Sequence, residues 1–192
     1  MEKNFNIIIS GVGGQGLITL LRIIAEAALI EGFDVKTSEL HGLSQRGGSV
    51  ETHIRLGRKV YSPLISLGTA DLILSLEVSE SLRAISYANP KTVFLVNKYS
   101  LSFPGALSEK EIIKKINALT KGRKYIISAS EICKKELGKE VVSGVYLLSY
   151  GAFKKIIPLK PSSILKAISE IIPERYLELN KKAFKLARTL NI

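Results

Sequence analysis

Phe5-Asn-Ile-Ile-Ile-Ser-Gly-Val-Gly-Gly-Gln-Gly16, followed by Leu17-Ile-Thr-Leu-Leu-Arg-Ile-Ile-Ala-Glu-Ala-Ala-Leu-Ile30, decides the fold. An apolar run centred on Asn6 to Ser10 is short enough for a buried strand. It enters a turn in which Gly11, Gly13 and Gly16 stand at the spacing that lets a chain reverse tightly and bring backbone N–H groups to an anion. Beyond the turn, Leu17, Leu20, Leu21, Ile24 and Ala28 recur at helical spacing, which predicts a helix over Gly16 to Glu31 with Gly32 as its C-terminal stop.

The unit repeats in weaker form along the chain. Strands are expected at Asp34 to Leu40, Asp71 to Leu76, Thr92 to Val96 and Lys124 to Ser128. Helices are expected at Ser79 to Ala88, ended by Asn89-Pro90, and after the capping box Ser108-Glu-Lys-Glu111. Ser130 is placed to cap a short helix through Leu137, closed by Gly138. Val141 to Phe153 reads as a buried helix in which Gly144 and Gly151 permit close packing. Two tail helices, at about Ser162 to Ile172 and Pro173 to Leu190, follow.

Alternating strands and helices predict an α/β fold, with a mostly parallel sheet covered on both faces. Ser49 to Leu56 differs. It alternates Val50, Thr52, Ile54 and Leu56 with Glu51, His53 and Arg55, the pattern of a half-exposed strand and a candidate antiparallel departure. On that reading His53 is exposed.

The 192 residues, 46% apolar, suffice for one core, so the chain reads as a single domain with residues 159–192 as a helical C-terminal extension. One cysteine, Cys133, excludes an internal disulfide and a self-contained iron-sulfur cluster or cysteine-rich zinc site. The longest apolar segment, Leu17 to Ile30, carries Arg22 and Glu26 and falls short of the roughly 20 residues of a membrane span. No secretion signal is read at the start, so a cytoplasmic location is expected. The net charge of +11 lies in the second half: residues 1–96 hold nine basic and nine acidic side chains, residues 97–192 nineteen and eight. Those lysines are spread over helical segments without interleaved aromatics, which favours a solvated face or an acidic protein partner over nucleic acid.

A second glycine turn, His41-Gly-Leu-Ser-Gln-Arg-Gly-Gly48, makes the first distinctive. Taken alone, the first turn suits a dinucleotide, with Glu39 near the end of the second strand as a ribose ligand, or simply a tight strand-to-helix turn. Gly14-Gln15 adds a polar side chain at its mouth. Ser44-Gln45-Arg46-Gly47-Gly48 sets a guanidinium, able to grip carboxylate or phosphate bidentately, beside a flexible turn. His41 has no identifiable orienting partner, and Cys133 suits a packed or surface thiol better than a nucleophile. Glu77, after an apolar strand, suits either a ligand group or a helix start. No nucleophile and base set emerges, so the two loops read as half of a site.

Gly11-Val-Gly-Gly-Gln-Gly16, Glu39-Leu-His-Gly-Leu-Ser-Gln-Arg-Gly-Gly-Ser-Val50, Ser62-Pro-Leu-Ile, Gly68-Thr-Ala-Asp71 and Glu77 together closely resemble the gamma-type domain of 2-oxoacid:ferredoxin oxidoreductases. His41-Gly before Gln45-Arg-Gly-Gly resembles the beta-subunit branch of the indolepyruvate enzymes within that family. Leu43-Ser44 and Glu51-Thr52 depart from the residues common there, and these departures bear on substrate preference.

The resemblance implies a Rossmann-like three-layer sandwich. It also implies a non-catalytic subunit of an enzyme that decarboxylates aryl pyruvates to aryl-acetyl-CoA and passes electrons to ferredoxin. Thiamine diphosphate, magnesium and iron-sulfur clusters would then sit in an alpha subunit, with coenzyme A as co-substrate. Gly11, Gly13, Gly14, Gln15 and Gly16, with Ser44, Gln45, Arg46, Gly47 and Gly48, would face that subunit, its cofactor or the coenzyme A channel. This chain alone would hold no cofactor or metal, with neither nucleic acid nor membrane as a partner.

Overall fold

The computed structural model describes residues 3–42, 47–101 and 107–189. Among these residues six strands form one sheet: β1 (Phe5–Val12), β2 (Asp34–His41), β3 (Ser49–Gly57), β4 (Ala70–Ser75), β5 (Ala88–Asn97) and β6 (Lys124–Ile127). Their order is β2-β3-β1-β4-β5-β6. β1, β4, β5 and β6 run parallel, and β3 is antiparallel to both of its neighbours. The parallel sheet expected from the alternating pattern is therefore present, and the strand at residues 49–57 is its antiparallel member.

Among the described residues seven α-helices accompany the sheet: α1 (Leu17–Ile30), α2 (Val78–Arg83), α3 (Glu109–Leu119), α4 (Ala129–Leu137), α5 (Ser143–Phe153), α6 (Pro161–Ile171) and α7 (Glu174–Thr189). Alternate strand residues feed two cores, as the twofold period of a strand requires. Ile7, Ile9, Leu72, Leu74 and Leu95 face one core with Leu20 and Ile24 of α1, Tyr146 and Leu147 of α5, and Ile168 and Phe184 of the last two helices. Ile8, Ile73, Phe94 and Val96 face the other, with Val78, Ile112 and Ile116 of α2 and α3. No helix among the described residues is long and apolar enough to cross a membrane.

Local signals account for most of the element ends. Gly16 opens α1 in the left-handed region at φ 83°, and Gly138 closes α4 at φ 71°. Ser108 and Glu111 form the reciprocal capping box expected of them at the start of α3. Gly144 and Gly151 serve close packing: a Cβ at Gly144 would lie 2.9 Å from Leu20 Cδ1, and one at Gly151 2.9 Å from Ile157 Cδ1. The tail helices α6 and α7 bury Ile164, Ala167, Ile168, Ala183 and Ala187 in the first core.

Three expectations are corrected. The helix expected over Ser79 to Ala88 is α-helical only to Arg83 and continues as a 3₁₀ turn over Ala84–Tyr87, so Asn89-Pro90 lies inside β5 rather than ending a helix. Asn89 is used there by side chain: its Nδ2 donates to the Ala70 carbonyl at 3.0 Å. The N-cap of α4 is Ser128, two residues before the Ser130 expected to cap it.

The third correction is β3, whose polar face is covered. His53 is 2% exposed. Its Nδ1 accepts from the Ile65 N–H at 3.0 Å, which leaves the proton on Nε2 to bond Glu51 Oε1, also at 3.0 Å. Arg55 Nη1 donates to the Ser62 and Leu64 carbonyls, and Asp34 Oδ2 accepts from the Val60 N–H. Residues 58–69, which form no regular element, thus lie across this face, with the Val60 and Ile65 N–H groups and the Ser62 and Leu64 carbonyls bonded to strand side chains.

Candidate functional site

The carboxyl ends of β1, β4 and β5 open onto a cavity of about 160 Å³. Gly14 and Gln15 form one wall, and Leu76, Asn97 and Tyr99 form the floor and opposite side. Ser130, at the start of α4, and Glu140, Val141 and Ser143, leading into α5, complete it. The edge beyond the carboxyl ends of parallel strands is where open α/β sheets place ligands. α1, α4 and α5 all begin at this rim, and none has a side-chain hydrogen bond at its N-cap. The dipoles of these helices give the cavity a positive bias, although the Ser130 N–H is spent on Asn97 Oδ1 and the Ser143 N–H on the Glu140 carbonyl.

Polar residues that follow apolar strand runs hold the floor. Asn97, 1% exposed, donates from Nδ2 to the Leu76 carbonyl at 3.2 Å and to Ser130 Oγ at 2.8 Å, while its Oδ1 accepts from the Ser130 N–H at 3.2 Å. That reciprocal pair is why Ser130 belongs to the floor instead of capping its helix. Neither Asn97 nor Ser130 was expected at the site. A polar residue directly after an apolar strand was the available signal.

The two glycine loops meet. Gly13 donates its N–H to the Gly48 carbonyl at 2.9 Å and accepts from the Gly47 N–H at 3.4 Å. Gly13 therefore spends its N–H on the other loop and does not offer it to an anion. Gln15 bends back so that its Oε1 accepts from the Val12 N–H at 2.8 Å. Gly11 must be glycine for that bend, because a Cβ there would stand 2.7 Å from Gln15 Oε1. Ser44, Gln45 and Arg46, expected in the second loop, lie outside the described residues, as does the His41 side chain.

Glu39 does not join this edge. β3 is inserted between β1 and β2, and Glu39 pairs in register with Thr52, exposed on the far strand. Two strand spacings, about 10 Å, separate it from the glycine turn, so the ribose-ligand arrangement of a dinucleotide fold is not formed.

Beside the loops lie two buried carboxylates. Glu77 is the N-cap of α2, its Oε2 accepting from the Glu80 N–H at 3.0 Å and its Oε1 from the Leu101 N–H at 3.1 Å. Of its two expected roles, the helix start is the one observed. Glu80 accepts from the Ser49 hydroxyl on Oε2 and pairs with Arg83 Nε at 3.1 Å on Oε1. Burial raises the Glu80 carboxyl above the ordinary carboxylate value and nearby Glu77 adds to this, against the lowering effects of Ser49 and Arg83. Further along this face, burial first and the Glu51 carboxylate second push the Tyr87 hydroxyl up to about 12.

The donor set does not suit a metal cluster. Cys133 is fully buried, and burial pushes its thiol up to about 12, so it packs instead of ligating. Among the described residues no group of three or more His, Cys, Asp or Glu is placed to hold a metal.

Comparison with known proteins agrees with this geometry. Residues 6–190 match the model of the family described as pyruvate ferredoxin/flavodoxin oxidoreductase. The indolepyruvate oxidoreductase subunit IorB of Archaeoglobus fulgidus is 36% identical over 189 residues, covering 94% of this chain and 92% of that protein. Among solved structures, a keto/oxoacid ferredoxin oxidoreductase gamma subunit from Geobacter sulfurreducens superposes with a TM-score of 0.72 at 24% identity, covering 96% of each chain. A 2-oxoglutarate:ferredoxin oxidoreductase from Magnetococcus marinus, solved with 2-oxoglutarate, coenzyme A and succinyl-CoA, superposes with a TM-score of 0.74 at 20% identity. It matches all of this chain over 32% of its own. The chain belongs to the pyruvate ferredoxin/flavodoxin oxidoreductase family.

Proposed function

We propose that this chain is the beta subunit of an indolepyruvate:ferredoxin oxidoreductase, contributing one edge of a composite site and none of the redox centres. The observation that carries the reading is the mutual hydrogen bonding of Gly13 with Gly47 and Gly48 beside a cavity in which the described residues form no nucleophile and base pair. The partner alpha subunit completes the site and holds magnesium and the iron-sulfur clusters that deliver electrons to ferredoxin. Thiamine diphosphate, also in the partner, supplies the electron sink for decarboxylation.

The residues of this chain bind and orient. Gly11, Gly13, Gly14, Gln15 and Gly16, with the Ser44 to Gly48 loop, form the wall that faces the partner or the coenzyme A channel. The positive bias from the starts of α1, α4 and α5 suits the phosphates of coenzyme A. Arg46, between Gln45 and Gly47 in the sequence, gives that loop a guanidinium. The complex works in the cytoplasm.

Affinity purification of the full chain from its native cells, with mass spectrometry and iron analysis of the eluate, tests the assignment. Co-elution with a cluster-bearing subunit is expected. The reconstituted complex, assayed with indolepyruvate, pyruvate, a branched-chain 2-oxoacid and 2-oxoglutarate, should prefer the aryl substrate. Turnover by the isolated chain, or a preference for pyruvate, would overturn the assignment.

A further inference from the structure

The start of α2 links the cavity lining to the second glycine loop. Leu76, immediately before it, lies on the cavity floor, and the Val78 N–H donates to the carbonyl of Tyr99, a wall residue, at 2.9 Å. Glu77 holds the Leu101 N–H. On the opposite side Glu80 holds the hydroxyl of Ser49, the residue that follows Gly48. All four carboxylate oxygens of Glu77 and Glu80 have partners, and both residues are nearly inaccessible, at 2% and 6%. An acid buried merely for stability is a poor choice, since an apolar residue of similar volume fills such a position at lower cost. Both are spent on main-chain or side-chain groups of the segments that frame the cavity.

We propose that Glu80 is a positioning residue that, through Ser49, holds the second glycine loop in register against the first. The chain of contacts runs from Glu80 Oε2 to Ser49 Oγ, along the backbone to the Gly48 carbonyl, and across to the Gly13 N–H at 2.9 Å. Ser49 is itself exposed, and it also begins β3 opposite Val12, the last residue of β1. Beyond this last ladder position the pairing continues on the glycine side only through the bonds of Gly13 to Gly47 and Gly48. The Ser49 to Glu80 contact supplies an anchor from a third element. The importance of this anchor for catalysis rests on the composite-site reading above, whereas the anchor itself does not.

The test uses Ser49→Ala, which removes one exposed hydroxyl and leaves the core untouched, in the full chain alone and reconstituted with its partner subunit. Residue-resolved hydrogen exchange should show the Gly13 amide exchanging about tenfold faster, as expected for loss of one charge-assisted hydrogen bond at a partly exposed site. The Ile73 amide, in the central strand, should keep its rate. Ser49→Thr, which keeps the hydroxyl, should restore protection, and Glu80→Gln, which keeps an acceptor, should fall between the two. Wild-type exchange at Gly13 in Ser49→Ala would overturn the proposal. So would a loss of protection spread equally to Ile73, since that reports general destabilisation. In the reconstituted complex kcat/KM should fall about tenfold in Ser49→Ala and recover in Ser49→Thr. Faster Gly13 exchange with unchanged activity would uphold the anchor and overturn instead the placement of the glycine edge in the composite site.

Discussion

Gly11 and Gln15 should behave as one unit under mutation. The β-carbon of Gly11→Ala would stand 2.7 Å from Gln15 Oε1 and 3.2 Å from Leu17 Cδ1. The Gln15 amide lies at the end of a flexible side chain and must swing away, which releases the Val12 N–H it accepts from at 2.8 Å. Val12 is 8% exposed, so that N–H has little water to turn to, and leaving it unpaired costs about 1–3 kcal/mol. Gln15→Ala removes the same acceptor and carries a similar cost, about 1–3 kcal/mol. In the double variant the acceptor is lost once and the clash with Gln15 is gone, leaving the milder approach to Leu17 to be absorbed by its side chain. Its destabilisation should therefore match that of Gln15→Ala alone, a non-additivity on the order of 1–3 kcal/mol. Urea denaturation of the four proteins, with midpoints converted through a shared slope, measures the cycle. Each variant should also lower the thermal midpoint, by roughly 2–4 °C per kcal/mol for a chain of this size. Single-variant costs that add to within about 0.5 kcal/mol would refute the reasoning, because Gly11 would then be making room for something other than Gln15.

Glu80→Gln should change how stability depends on pH. The folded protein holds the Glu80 carboxyl above its ordinary value of 4.5, so wild type gains stability on protonation and loses it as pH rises through the folded value. The variant lacks this loss, so its thermal midpoint relative to wild type should rise between pH 4 and pH 7, and a flat or falling difference would contradict the sign. His53→Leu leaves the Ile65 N–H and the Glu51 carboxylate without the ring nitrogens they face. It should cost about 2–4 kcal/mol by denaturant titration and open residues 58–69 to limited proteolysis; an unaltered midpoint and cleavage pattern would show the ring to be incidental. Gly122→Ala would set a Cβ 1.8 Å from the Thr92 carbonyl oxygen, where only backbone can give way. Displacing that turn strains the Phe94 N–H bond to the Arg123 carbonyl, and a loss of about 2–4 kcal/mol is expected by calorimetry.

What the sequence makes legible here is what is encoded within a few residues. The β1 strand, its glycine turn and α1 follow from a run, a spacing and a period. The capping box at Ser108 and the stops at Gly32 and Gly138 are fixed by backbone geometry that neighbouring residues supply. Even Gly144 and Gly151 announce a close approach without revealing that Leu20 and Ile157 are what approach. His53 shows where local reading fails. A polar face on an alternating strand is the mark of solvent only when nothing irregular crosses it. Residues 58–69 have no ladder of their own, so their N–H and carbonyl groups need polar side chains beneath them, and His53, Arg55 and Asp34 meet that need. Asn97 and Ser130 were missed for a related reason, since the cavity floor joins residues 33 positions apart through the order of strands.

The strand order also explains why a turn of dinucleotide type leads elsewhere. In a sheet where β1 and β2 are neighbours, the residue at the end of β2 stands beside the glycine turn and can reach a ribose. Here β3 occupies that place, antiparallel, and the connection from β2 to β3 is forced to turn at the same edge as the β1 to α1 connection. Whatever residues make that second turn must then lie against the first. Gly47 takes the left-handed φ of 74° that favours glycine, and Gly13 donates to Gly48 and accepts from Gly47 across the gap at once. The paired glycine loops are thus a consequence of inserting one antiparallel strand, and the same insertion that removes Glu39 from the site brings Ser49 within reach of Glu80. Topology thereby spends on a second loop the turn N–H that a motif of this type could have offered to a ligand.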